Sequence, residues 1–253
     1  MWFTSLGSGS KGNATLVRSE RSHLLIDSGF SCRELEIRLS KRNTEPESVK
    51  AILVTHEHSD HMKGVATFAN KYEIPVYMSR GTSLHHLAEK INNIKIISCH
   101  KKFSIDDFEI TPVTVPHDAR EACQFIVESN NLRLGILTDL GHITRHIESS
   151  YYRLDGLMLE FNHDVQLLQS GSYPRKLKAR VGGQLGHLNN TQAVGFLTKE
   201  RIAGLKKLVA VHLSEENNSR TIVQSLLESV NVSNNSSYTI ASQETGFDWL
   251  SLT

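Results

Sequence analysis

Residues 51–61 read Ala-Ile-Leu-Val-Thr-His-Glu-His-Ser-Asp-His, an apolar run that ends in three imidazoles and the Asp60 carboxylate within six residues. Ala51–Thr55 reads as a short buried strand. In an extended segment His56 and His58 point to one side, because strand side chains alternate with a period of two. A turn after them brings Asp60 and His61 to a second position nearby. Imidazole nitrogen and carboxylate oxygen are donors that zinc accepts at about 2.0–2.2 Å, and manganese and iron take them too. The spacing suits two adjacent divalent ions better than one.

Outside this motif, composition sets bounds. The chain has 253 residues, of which 39% are hydrophobic, enough for a sizeable core and in keeping with one large domain spanning 1–253. Lys and Arg total 28 against 27 Asp and Glu, so no whole-chain attraction to nucleic acid exists and any such contact must come from a local patch. No apolar run is long enough to span a membrane. The opening MWFTSLGSGSKGN has no basic region leading into an apolar one, and the three cysteines, Cys32, Cys99 and Cys123, are too scattered for a disulfide framework or a CxxC clip. A cytoplasmic setting is expected. Histidine is abundant, at 13 residues.

Short β-branched runs bounded by Gly, Ser and Asn predict strands at Trp2–Leu6, Ala14–Arg18, His23–Asp27, Pro75–Met78, Ile94–Ser98, Phe108–Val115, Gln124–Ser129, Leu132–Thr138, Leu157–Phe161 and Leu208–Leu213, with two more near Tyr238–Ile240 and Phe247–Leu250. Helices are expected over Ser31–Lys41, His61–Lys71, Thr82–Lys90, Asp164–Gln169, Thr191–Lys199 and Glu216–Val230. Interleaved strands and helices imply two sheets covered by helices. No internal repeat is evident.

HxHxDH after such a strand resembles the metallo-β-lactamase fold superfamily of hydrolases. The segments SLGSGSKGNAT, HEHSDH, LEFNHD, GHLNN and HLSEENN are together similar to its YycJ (WalJ) branch, regarded as bacterial nucleases acting on DNA. The resemblance implies an α/β fold, a four-layer αββα sandwich with the metals at one edge of the sheets. It implies that Asp27 in LLIDSG supports the histidine loop, and that His117, Asp139 and His212 complete the ligands. One ion would then take His56, His58 and His117, the other Asp60, His61 and His212, with Asp139 bridging. Two ions about 3.5–4 Å apart acidify the water held between them. Asp60 would also orient that nucleophile.

In phosphodiesterase branches of the superfamily, a Glu after a strand and a His opening a helix assist the leaving oxygen. Glu160 and His187 resemble that pair, the alternative being a strand-end charge and an ordinary helix-start residue. A His⁺ held by a carboxylate can protonate a poor alkoxide leaving group. The glycine-rich loop Gly7–Asn13, with Ser10 and Asn13, is either a tight hairpin turn or a phosphate cradle. Arg175, Lys176, Lys178 and Arg180 form either a solvated basic face or a track for a phosphodiester backbone. His163 belongs to the lip of the site or to a helix start. His23, His85, His86, His100, His142 and His146 read as surface residues. The function expected is a dinuclear phosphodiesterase, a DNA exonuclease. The alternative is a dimetal hydrolase of a small cyclic phosphodiester, thioester or lactone. A non-catalytic metal-binding module would need a missing ligand, and every ligand type is present in order.

Overall fold

The computed structural model describes residues 1–230 and 237–253. One seven-stranded sheet contains β1 (Trp2–Gly7), β2 (Ala14–Arg18), β3 (His23–Ile26), β4 (Val49–Leu53), β5 (Val76–Ser79), β6 (Ile94–Ile97) and the last strand of the chain, β14 (Phe247–Ser251), in the order β14-β1-β2-β3-β4-β5-β6. The other contains β7 (Phe103–Ile105), β8 (Phe108–Thr114), β9 (Cys123–Ser129), β10 (Leu132–Leu137), β11 (Gly156–Glu160), β12 (Lys207–Val211) and β13 (Ser237–Ile240), in the order β13-β12-β11-β10-β9-β8-β7. Both sheets follow one pattern. The pairs from β14 to β3 and from β7 to β10 are antiparallel, and those from β3 to β6 and from β10 to β13 are parallel. The sequence shows no repeat, yet the topology repeats.

Strand alternation sorts the apolar residues into three cores. Phe3, Leu24 and Leu53 of the first sheet pack with Phe125, Ile136 and Val209 of the second, which places the two sheets face to face. The outward residues Leu25, Ile52 and Val76 bury against Leu35 and Leu39 of α1 (Cys32–Ser40). On the far side, Leu137, Leu159 and Leu208 cover Ala193 and Val223, which belong to helices described below. Helix, sheet, sheet and helix therefore stack as four layers, as the resemblance implies. Among the described residues no helix is long and apolar enough to cross a membrane.

Several elements differ from expectation, each for a local reason. The helix expected over His61–Lys71 is two: α2 (Ser59–Met62) and α3 (Val65–Lys71). The break at Gly64 lets the chain after β3 dock here. The Gly64 amide donates to the Ser28 carbonyl at 2.8 Å, and a Cβ on Gly64 would lie 1.8 Å from the Phe30 carbonyl oxygen. The helix expected at Thr82–Lys90 is a turn, α4 (Arg80–Ser83), followed by a 3₁₀ turn at Ala88–Lys90. Leu84 is 58% exposed, so a longer helix there would gain little by packing. Unexpected elements are β7 and α5 (Arg145–Ser150). After β11 come α6 (Val165–Ser170) and α7 (Arg175–Val181), the second built from the basic run. Thr191–Lys199 resolves into α8 (Asn190–Phe196) and α9 (Lys199–Ile202). α10 begins only at Arg220 and runs to Ser229, because Ser219 caps it and Ser214–Asn217 form a turn first.

Candidate metal centre

The parallel strands β3, β4, β10, β11 and β12 all deliver polar residues at their carboxyl ends. Beyond β4 the motif leaves the sheet with His56 and His61 buried and His58 half-buried. Asp27, Asp139 and His212 follow β3, β10 and β12 with φ of 62°, 54° and 56°. Left-handed backbone is costly for side-chain-bearing residues, though Asp, Asn and His tolerate it best, and its presence three times marks a constrained site.

Two neighbouring sets of donors result. The ligand-capable atoms of His56, His58 and His117 lie within 4.8 Å of one another, as do those of Asp60, His61 and His212. Asp139 lies between the sets: it groups with His56 and His61, and its oxygens are 3.3 Å from His61 Nε2 and from His212 Nδ1. Each of the five histidines ties one ring nitrogen away from this centre. His61 Nδ1 is 2.8 Å from Asp27 Oδ2 and His212 Nδ1 is 2.8 Å from Glu160 Oε1. His117 Nδ1 is 3.1 Å from the Gly186 carbonyl, His58 Nε2 is 3.3 Å from the Asp118 carbonyl, and His56 Nδ1 is 3.0 Å from Thr55 Oγ1. Asp27 in turn accepts from the Thr55 amide and hydroxyl, each at 2.8 Å. Such outer hydrogen bonds set the tautomer and aim the remaining nitrogen.

The inward atoms tell whether ions fit. His56 Nε2, His212 Nε2 and Asp139 Oδ2 are buried without a hydrogen-bond partner. Buried polar atoms are rarely left unpaired, and here nitrogen and carboxylate oxygen converge on one volume, the donor chemistry of zinc, manganese or iron. The electrostatics agree. Burial, then the neighbouring His61, His117 and His58, keeps His56 neutral, and burial also lowers His117. Burial opposes charge on Asp60 and Asp139, but the rings of His61 and His212 outweigh it and hold both carboxyls below their usual range. Burial likewise opposes charge on His212, yet Asp139, Asp60 and Glu160 raise it to about 10. His56 and His117 are thus neutral donors and Asp60 and Asp139 anionic ones, and a cation can take the place of the protons that the carboxylates hold on His61 and His212.

A family profile described as the beta-lactamase superfamily domain matches residues 22–213. The chain belongs to this superfamily. A relative named exodeoxyribonuclease YycJ, from Bacillus anthracis, is 32% identical over 226 residues, covering 88% of this chain and 86% of the relative. One named exodeoxyribonuclease WalJ, from Streptococcus pneumoniae serotype 2, is 33% identical over 222 residues, covering 85% and 82%. The crystal structure of Zn²⁺-bound PqqB from Methylobacterium extorquens shares the fold with a TM-score of 0.74 at 15% identity, covering 99% of this chain and 100% of that one.

On this superfamily scaffold a cleft of ≈ 260 Å³ opens over the centre, lined by His58, Asp60, Asp139 and His212 among others. His187 also lines it. Its Nδ1 is 2.9 Å from Glu160 Oε1, the same oxygen that holds His212. Glu160 itself is 0% exposed, and its other oxygen accepts from the amides of Leu188 and Leu140. It does not line the cleft, so it acts through the two imidazoles. Ser10 lines the cleft, while Asn13 turns inward, with its amide nitrogen 3.0 Å from the Gly9 carbonyl and 3.1 Å from His61 Nε2. Of the four cations, Arg180 reaches the cleft. Lys178 donates to the Gln169 carbonyl, and Arg175 and Lys176 are exposed on α7 away from the lining. His163 is buried, bridges by backbone to Asn189 and is absent from the cleft lining. The six other histidines are exposed or half-buried and join none of the donor groups among the described residues.

Three contributors escaped the sequence reading. Thr55 links Asp27 to His56. Glu57 accepts from the Arg120 amide at 2.8 Å and fixes the chain just after His117. Asp118 receives the Arg180 guanidinium at 2.6 Å. Each adjoins a ligand-type histidine in sequence, which is the signal that was available.

Proposed function

We propose that the protein is a dinuclear metal-dependent exodeoxyribonuclease. The observation that carries this reading is the ring of five histidines, each with its outer nitrogen tied and its inner one aimed at a shared centre with Asp60 and Asp139. The names and near full-length coverage of the relatives support DNA as the substrate and removal from an end as the mode. His56, His58 and His117 would hold one ion and Asp60, His61 and His212 the other, with the Asp139 carboxylate available to both sets. Divalent ions bound there supply Lewis acidity toward a phosphoryl oxygen and acidify water. Asp27, Thr55 and Glu160 keep the imidazoles oriented. Glu160 accepts from His187 Nδ1, leaving Nε2 to carry a proton toward the departing alkoxide oxygen. Arg180 and Ser10 bind the phosphodiester from the rim. The three cysteines are unpaired, which suits the reducing cytoplasm.

The test is incubation of the purified protein with end-labelled single- and double-stranded DNA and RNA in Mn²⁺ or Zn²⁺, with product sizes read over time. Stepwise release of nucleotides from DNA is expected, abolished by a chelator. Turnover of bis(p-nitrophenyl) phosphate with every nucleic acid left intact would replace this reading by a small-substrate phosphodiesterase.

A further inference from the structure

Besides the donor atoms, the cleft is lined by side chains that the nuclease chemistry leaves without a task. Tyr173, Leu177 and Val181 line the same cleft as Asp60, Asp139 and His187. Leu177 and Val181 lie four residues apart on α7 and so share one face, and Tyr173 lines the cleft from the bend just ahead of that helix. The helix turns Arg175 and Lys176 to solvent. Tyr173 is half-buried, and histidines aside it is the one aromatic side chain lining the cleft among the described residues. Arg180, at the end of the same helix, is anchored by the 2.6 Å contact to Asp118, whose Oδ1 lies 3.5 Å from His117 Nε2. The aromatic lining is thereby held in register with the metal-binding residues of the cleft.

A nucleotide offers both halves of this environment a partner: a phosphodiester for the polar side and a planar base for the apolar one. At ≈ 260 Å³ the cleft falls below the roughly 300–1,000 Å³ of pockets for drug-sized ligands. It is too small to enclose a base pair, which leaves a single unpaired base as the unit that can enter. Resting on the exodeoxyribonuclease reading, we propose that Tyr173, backed by Leu177 and Val181, stacks on the base of the nucleotide being removed, so that the protein takes an unpaired strand end. Every base has a π-face, so this platform grips without choosing sequence. A paired end reaches it only after its last pair opens.

The experiment is a cycle between protein and substrate. Wild type, Tyr173→Ala and Tyr173→Phe are assayed, at equal metal content, on single-stranded oligonucleotides whose digested end carries either a normal or an abasic residue. On the normal end Tyr173→Ala raises KM by about 5- to 150-fold, the span that removal of one base–aromatic stack covers. Tyr173→Phe stays near wild type. On the abasic end the penalty of Tyr173→Ala shrinks to about twofold or less, because the stack is already gone. Equal penalties on both ends would overturn the stacking role while leaving the nuclease reading intact. If wild type digests neither oligonucleotide yet still cleaves bis(p-nitrophenyl) phosphate, the nuclease reading fails, and the platform with it.

Discussion

Glu160→Gln is the most informative single change, because one carboxylate serves two imidazoles with different jobs. Oε1 accepts from His187 Nδ1 at 2.9 Å and from His212 Nδ1 at 2.8 Å, and Oε2 accepts from the Leu188 amide at 2.9 Å. A glutamine must turn its NH₂ toward either the two rings or the backbone amides. Either way donors face donors, and an unsatisfied buried group costs about 1–3 kcal/mol. The change also deletes the anion that holds the two rings. Freeing His212 should weaken metal affinity about 10–100-fold, the scale for removing an outer partner of a ligand, and this deficit should be seen with any substrate at limiting metal. Freeing His187 acts differently. At saturating metal a deficit of about 10²–10⁴-fold should remain on DNA, whose alkoxide leaves only with a proton. Little should remain on bis(p-nitrophenyl) phosphate, whose nitrophenolate leaves unaided. His187→Ala should reproduce the second deficit without the first. The assay is kcat on both substrates across a metal titration, with bound metal measured directly. If His187→Ala lowers both substrates equally at matched metal content, the imidazole supports the centre and has no role at the leaving group.

Other expectations follow from the same geometry. Asp139→Asn and Asp60→Asn should each lower DNA hydrolysis at least about 100-fold and reduce bound metal, and near-normal turnover of either at limiting metal would count against a dinuclear centre. Arg180→Gln should flatten the salt dependence of single-stranded DNA binding by about 0.7 in log–log slope for each phosphate no longer neutralised, whereas Arg175→Gln and Lys176→Gln should change it less, since neither lines the cleft. An Asp118→Asn control separates the effect of the charge from that of the anchor, and equal slopes for all these variants would place α7 outside the binding surface. His212, raised to about 10 mainly by Asp139 against the cost of burial, is protonated at neutral pH, so an ion taking Nε2 must displace that proton. Metal affinity should therefore fall as pH falls, and calorimetry in buffers of different ionisation enthalpy should register proton release. A binding enthalpy independent of buffer would refute this.

Residues whose role is local were legible in the sequence. HEHSDH states its donors in consecutive order, and period-two alternation already puts His56 and His58 on one side. The inner strands stand out because burial on both faces makes residues 51–53 and 208–211 continuously apolar. What stayed hidden depends on distant chain. Gly64 looks like an ordinary helical residue until the Phe30 carbonyl presses on it from outside. The basic run 175–180 reads as one charged surface, yet its helix turns Arg180 to the cleft and Arg175 away, a distinction of phase that composition does not carry. Glu160 reads as a catalytic carboxylate. Its pairing with His187 was legible, but its second imidazole, His212, and its backbone partners, the Leu188 and Leu140 amides, come from distant chain.

The repeated topology explains why the centre needs both sheets. β3 and β10 hold the same place in the strand order, and each ends in an aspartate with left-handed backbone, Asp27 and Asp139. These two carboxylates approach opposite nitrogens of one ring: Asp27 is 2.8 Å from His61 Nδ1 and Asp139 is 3.3 Å from His61 Nε2. The same topological position thus supplies an orienting partner from one sheet and a ligand-type group from the other. A left-handed residue with a side chain costs about 1–2 kcal/mol, and glycine would relieve it, but glycine has no carboxylate to offer. Hydrogen bonds hold the chain in place here. The Asp27 amide donates to the Leu53 carbonyl at 2.9 Å, and the His212 amide donates to Ser8 Oγ at 2.9 Å, a bond that links the two sheets beside the centre. The first sheet and its loops carry Asp27, His56, His58, Asp60 and His61, while the second carries His117, Asp139, Glu160, His187 and His212. Both proposed sets draw on both halves, His56 and His58 with His117 and Asp60 and His61 with His212, so each is completed only when the two sheets dock.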